Sequence, residues 1–145
     1  MTEPLIKVAD LAWGRIKSPD LDVQEEFLTN FGMIKVERTN DKLFMRGTGA
    51  SHHLHVTEKG DPGFVSLAFR ADNEDDLHKL AAEAESASGV EEIDEPGGGK
   101  RVRLTEPNGY TIEIVHGIEA VDEIPVERQS YNLGNIDKYK RANEL

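Results

Sequence analysis

The chain has 145 residues, 37% of them hydrophobic, enough for one ordinary core and close to the modal domain size. Asp and Glu outnumber Lys and Arg by 28 to 17, for a formal net charge of -11, and no basic block is dense enough to neutralise a row of phosphates, which excludes nucleic acid and anionic membrane surfaces as expected partners. The absence of cysteine excludes disulfides, thiolate metal sites and cysteine nucleophiles, and with no leader pattern in the first ten residues and no apolar run of membrane-span length, a cytoplasmic protein is expected.

Leu5 to Lys17, rich in Ile, Val, Leu and Trp, predicts a first strand, broken by Ser18-Pro19-Asp20. A helix follows from Asp22, which with Glu25 three residues on resembles a capping box; Val23, Phe27 and Phe31, with Leu28 beside them, give an apolar face, and Gly32 a stop. Short strands are expected at Met33 to Glu37, Lys42 to Arg46 and His52 to Thr57, with turns at Asn40-Asp41 and Gly47-Thr48-Gly49.

The second half repeats that order. Phe64 to Arg70 reads as a strand, and Ala71-Asp72-Asn73 opens a helix with Leu77, Leu80, Ala81 and Ala84 on one face and Gly89 at its end. Strands at Val90 to Ile93, Arg101 to Thr105 and Tyr110 to His116 follow, separated by turns at Pro96-Gly97-Gly98-Gly99 and Pro107-Asn108-Gly109. Two βαβββ units, about 7–58 and 62–117, are the simplest account, and an internal duplication explains them. The expected fold class is α+β: a curved mixed sheet or half-open barrel around a cleft, with the helices outside.

Along the last strand Ile112 and Ile114 point one way and Thr111, Glu113 and Val115 the other. An ionised Glu113 on so apolar a strand costs several kcal/mol, of order 3 or more, unless a cation, a donor or water meets it. Either it has a buried partner facing the cleft, or it sits at a solvated strand end. Residues 118–145 are polar and broken by Pro125 and Gly134; with Ile118, Val121, Ile124, Val126, Tyr131 and Leu133 they read as a linker or docking arm.

These residues carry a resemblance. The duplicated unit, Phe27-Leu28-Thr29-Asn30-Phe31-Gly32-Met33, His52-His53-Leu54-His55-Val56 and the closing Glu106-Pro107-Asn108-Gly109-Tyr110-Thr111-Ile112-Glu113-Ile114 resemble the vicinal oxygen chelate superfamily over about residues 7–117. That superfamily holds glyoxalases, bleomycin- and fosfomycin-resistance proteins and extradiol ring-cleaving dioxygenases. Leu11-Ala12-Trp13-Gly14, Asp20 and the Phe27 to Met33 phrase look most like the amino-terminal domain of a two-domain extradiol dioxygenase.

The resemblance implies a metal bound by a His on the first strand of each unit and a Glu on the last strand, an open two-His, one-carboxylate site. Here the first-strand positions hold Trp13 and Ser66, and only Glu113 matches. Trp offers no ligating lone pair and Ser is a poor neutral ligand, so no metal is expected from these positions. Fe(II) or Mn(II) would belong to a second, catalytic domain.

Of the histidines, His53 and His55 lie two apart on a predicted strand and so share a face, with His52 on the other; with Glu113 they are the weak candidates for a displaced metal site. The plainer reading is a polar face of an edge strand. His116 falls opposite Glu113, and His78 lies among Glu74, Asp75 and Asp76 on a solvent-facing helix side. Trp13 would line an aromatic cleft or pack in the core. Gly97-Gly98-Gly99 has no helix after it and reads as a hairpin turn, not a phosphate cradle.

Three functions follow from the resemblance. One is the non-catalytic amino-terminal domain of an extradiol (catecholic) dioxygenase, with no catalytic residue of its own and with a small aromatic molecule, a second domain or a homo-oligomer as partners. Another is a metal-free dimeric binder of the bleomycin-resistance type, with a ligand cleft at Trp13, Ser66 and Glu113. The third is a glyoxalase-like metalloenzyme with displaced ligands. On the first reading Glu113→Gln leaves folding nearly intact and changes no metal content.

Overall fold

Two copies of one short run of elements build a single sheet. The computed structural model describes residues 3–126. In chain order the elements are β1 (Val8–Ser18), α1 (Leu21–Phe31), β2 (Ile34–Arg38), β3 (Lys42–Arg46), β4 (His55–Lys59), β5 (Gly63–Ala71), α2 (Glu74–Glu83), β6 (Glu91–Glu92), β7 (Lys100–Thr105) and β8 (Thr111–His116). The strand order is β2-β3-β4-β1-β5-β8-β7-β6, an open mixed sheet. Within each half the first strand runs parallel to the last, β1 with β4 and β5 with β8, and the halves join where β1 and β5 pair antiparallel. The α+β fold of two βαβββ units with outer helices is therefore as the sequence predicts.

Period-two alternation decides which residues meet. On one face Trp13, Phe44, Val56, Ala68 and Val115 form a buried cluster with Ala12 and Ile93. On the other face α2 packs Leu77 and Leu80 on Val102 and Ile114, and α1 packs Leu21 and Leu28 on Leu43 and Met45. Both helices thus cover the face opposite Trp13, leaving that inner face for a site.

Three local expectations change. The α1 cap is Asp20, two residues earlier than the predicted Asp22: its Oδ1 accepts from Asp22 N at 2.9 Å and Val23 N at 3.1 Å. Of the predicted apolar face, Val23, Phe27 and Phe31 are 62%, 62% and 69% exposed, whereas Leu28 is buried, together with Leu21. Burial of Leu21 and Leu28 against Leu43 and Met45 sets that roll of the helix, and Glu25 then meets Lys35 at 2.6 Å and Arg38 at 2.7 Å on β2. Finally, α2 ends at Glu83 with Ala84 as its cap, well before the predicted stop at Gly89. Gly32 does end α1 as predicted, in the left-handed region at φ 109°, with Met33 N donating back to Leu28 O at 2.9 Å.

The start of the arm lies against its own domain. Val121 N donates to Ala50 O at 3.0 Å, Ile124 N to Thr48 O at 2.8 Å, and Arg46 Nη2 to Asp122 O at 2.8 Å. Tyr131, Leu133 and the rest of the arm beyond residue 126 lie outside the described residues. No helix among the described residues is long and apolar enough to cross a membrane.

Candidate functional site

Strand register sets the site. Trp13 on β1 pairs with Ala68 on β5, which pairs with Glu113 on β8; in the next row Arg15 pairs with Ser66, which pairs with Thr111. Trp13, Ser66 and Glu113 therefore share the inner face, and each is 2% exposed or less, so the cleft is closed over all three. The solvated-end alternative for Glu113 is not what the fold builds.

Its partners are a hydroxyl and two guanidiniums. Ser66 Oγ donates to Glu113 Oε2 at 2.6 Å, Arg101 Nη1 donates to Oε1 at 2.9 Å, and Arg15 Nε lies 3.5 Å from Oε2. Arg15 is itself 4% exposed and spreads its charge over other carboxylates. Its Nη1 and Nη2 donate to Glu95 at 3.0 and 2.8 Å, and Nη1 also to Glu58 at 3.0 Å. Lys42 Nζ donates to Glu95 Oε2 at 2.9 Å, and Arg101 also meets Glu91 at 3.2 Å. Charges buried to this degree persist only when paired and hydrogen-bonded, and the fork geometry of Arg suits two-point contact with a carboxylate.

The ionisation states follow from that packing. Burial alone would lower the Arg15 pKa, but the Glu95 hydrogen bond and the charges of Glu113, Glu95 and Glu58 outweigh it and raise it. Burial would likewise raise Glu95, yet Arg15 and Lys42 hold it down to about 2. Glu95 reaches Arg15 because the chain reverses beside it through Gly97, Gly98 and Gly99, all at positive φ (90°, 57° and 92°). A Cβ on Gly99 would come within 2.7 Å of Ile118 Cδ1 and 2.8 Å of His116 O. The three glycines form the hairpin turn between β6 and β7.

The histidines do not converge on Glu113. β4 begins at His55, so His52 and His53 precede it, and both are buried. The predicted shared face of His53 and His55 is not formed. His53 stacks on Trp13, ring centroids 4.5 Å apart, on the inner side, whereas His55 Nε2 meets Thr57 Oγ1 at 2.7 Å, on the strand face that carries Leu43 and Met45 toward α1. Burial, then the neighbouring His52 and Arg15, hold His53 neutral by lowering its pKa to about 3. His116 lies on the helix-side parity with Nδ1 3.4 Å from Ala71 O, and His78 is exposed beside Glu74. Among the described residues no group of three His, Asp or Glu side chains is placed to hold a metal. The chemistry at Glu113 does not fit one either: its oxygens already face two permanent cations, and Trp13 and Ser66 stand where imidazoles would be needed.

Sequence reasoning missed Arg15, Arg101, Glu95, Lys42 and Glu58. Alternation could have found Arg15, two residues from Trp13 on the same strand face, and Arg101, which shares the inner face of β7 beside β8. Nothing in the pattern marks Glu95, which arrives from a turn.

Comparison with known proteins places the fold in a family. The Glyoxalase/Bleomycin resistance protein/Dioxygenase superfamily matches residues 13–114. The metapyrocatechase of Geobacillus stearothermophilus is 30% identical over 131 residues, 87% of this chain and 40% of that protein. The manganese-dependent 2,3-dihydroxybiphenyl 1,2-dioxygenase of Geobacillus genomosp. 3 is 29% identical over 126 residues, 82% of this chain and 39% of that protein. This chain therefore spans about two fifths of the length of these relatives. Among solved structures, the Mn(II)-bound glyoxalase of Novosphingobium aromaticivorans superposes with a TM-score of 0.77 at 21% identity, over 85% of this chain and 44% of that one. Homoprotocatechuate 2,3-dioxygenase of Brevibacterium fuscum does so with a TM-score of 0.74 at 20% identity, over 83% and 40%. The chain belongs to the glyoxalase, bleomycin-resistance and dioxygenase superfamily, and it has extradiol dioxygenases among its homologues.

Proposed function

We propose that residues 1–145 act as the amino-terminal, non-catalytic domain of an extradiol dioxygenase-like protein of the cytoplasm. The observation that carries this reading is the occupation of Glu113 by Ser66, Arg101 and Arg15. Guanidiniums meet the carboxylate that the resemblance assigns to metal. The domain would then support the shape of a neighbouring catalytic half, which would hold Fe(II) or Mn(II) and take a small aromatic diol. The partial span of the named dioxygenases supports the same reading. So do the outward Val23, Phe27 and Phe31, an apolar face suited to packing on a second domain or a second copy.

The metal-free binder is weaker, because it needs an open cleft at Trp13, Ser66 and Glu113, all of them buried. The intact mass of the product in its native cells tests the choice. A species about twice this length or more supports the domain reading. A species of this size transfers the weight to a dimeric small-molecule binder.

A further inference from the structure

Beyond the Glu113 row, the inner face ends in a cavity of about 130 Å³ whose walls include Arg70, Ser51, His52, His116 and Glu119. That is well below the roughly 300–1,000 Å³ of pockets for larger organic ligands, so a small molecule or one small group of a larger one would fill it. The inner face has Val115 beside Arg70, its direct partner across β5 and β8.

Arg70 is unusual in this acidic chain. It has no carboxylate within salt-bridge distance among the described residues, although Asp10 is its register partner on β1. The Asp10 carboxylate is turned to its own strand, accepting from Leu11 N at 2.7 Å. Arg70 Nη2 donates to Ser51 Oγ at 2.8 Å, while its Nε is buried and has no hydrogen-bond partner among the described residues. A buried donor on a permanent cation is costly to leave unmet, roughly 1–3 kcal/mol for a neutral group and more for a charged one. Two imidazoles stand on the same walls. His52 spends Nδ1 on His53 at 2.9 Å, and His116 has Nδ1 3.4 Å from the Ala71 carbonyl. The one carboxylate on the walls, Glu119, is exposed at the rim; its backbone N–H donates to Gly97 O at 2.8 Å.

We infer that this cavity is a binding site for a small oxyanion, a carboxylate foremost, with the Arg70 guanidinium as the charge partner and Ser51, His52 and His116 as polar walls. The planar fork of Arg70, with Nε unspent and Nη2 keeping a second hydrogen, matches the two oxygens of a carboxylate. The site is separate from the Glu113 cluster and stands whether or not the chain is a dioxygenase domain.

The test is an NMR titration of the ¹⁵N-labelled chain at low ionic strength with sodium benzoate and, separately, with inorganic phosphate. Saturable shifts at the Arg70 Nε–H and at the amides of Ser51, His52 and Gly117 are expected, with benzoate stronger than phosphate. Arg70→Gln should weaken binding at least about tenfold, the loss of one charge-assisted pair. Glu119→Gln removes only an exposed rim charge, cannot compromise folding through the core, and should tighten binding severalfold. Equal binding of both probes with the same mutant responses supports a general oxyanion site. Absence of saturable shifts with either probe, or affinity unchanged in both variants, overturns the proposal.

Discussion

Arg101 Nη1 sits 2.9 Å from Glu113 Oε1, one diagonal step across the β7–β8 pair, where Arg103 and not Arg101 is the direct register partner of Glu113. The diagonal reach is within the compass of a long side chain. It delivers a second guanidinium to a carboxylate that Ser66 and Arg15 already hold.

Glu113→Gln therefore removes the charge that faces Arg15 and Arg101. The expectation that folding stays nearly intact is replaced by a loss of about 1–3 kcal/mol, since Arg15 keeps Glu95 and Glu58 and Arg101 keeps Glu91. Urea unfolding reads this as a lower midpoint at constant slope. Metal content should be unchanged, and a stoichiometric metal lost in the variant would contradict the proposed role.

Arg15→Met should cost more than Glu113→Gln. It takes one cation at once from Glu113, Glu95 and Glu58, leaving Arg101 to Glu113 and Lys42 to Glu95, and breaking a buried pair from one side costs about 3–5 kcal/mol. The double variant should lose less than the sum of the two, because each removes what the other was paired with. Strict additivity in a double-mutant cycle would mean that the two side chains do not interact.

Acid should destabilise the fold in two overlapping windows. His53 is depressed to about 3 in the fold from 6.5, so below pH 6.5 the unfolded chain takes up a proton that the folded chain refuses. Its contribution is whole above that value and falls by about 1.4 kcal/mol per pH unit down to the folded value. Glu95, lowered to about 2 from 4.5, adds a second loss as pH falls from 4.5 toward 2. Unfolding free energies of the wild type and of His53→Phe, compared between pH 7 and pH 5, isolate the first: the variant should have the flatter profile.

Phe27→Ser and Phe31→Ser should leave the isolated chain's stability within about 0.5 kcal/mol, as exposed positions do, despite the helical spacing of these rings. A loss of several kcal/mol, of order 3, would mean the face is covered.

Trp13 is the single tryptophan and is 2% exposed, so it reports on the inner face. Its emission should be blue-shifted and shielded from acrylamide, with both features lost on unfolding. Ready quenching in the folded chain would show an open cleft.

The sequence by itself determined the element order, the two repeated units and, where a strand was correctly bounded, the side that a residue occupies. Lys42 to Arg46 is β3 to the residue, and the parity of Ile112, Glu113 and Ile114 holds, because those features depend only on local turn chemistry and the two-residue strand period. The family resemblance rested on the same local phrases. What only the tertiary structure decided is who meets whom. Helical spacing marked Val23, Phe27 and Phe31 with Leu28 beside them, but the apolar surface that β3 offers, Leu43 and Met45, took Leu21 and Leu28. His53 and His55 were separated because β4 starts two residues after His53. Glu113 demanded a partner from its own strand alone, yet Arg15, Arg101 and Glu95 come from other strands and a glycine turn, and only the register of a folded sheet brings them to one point.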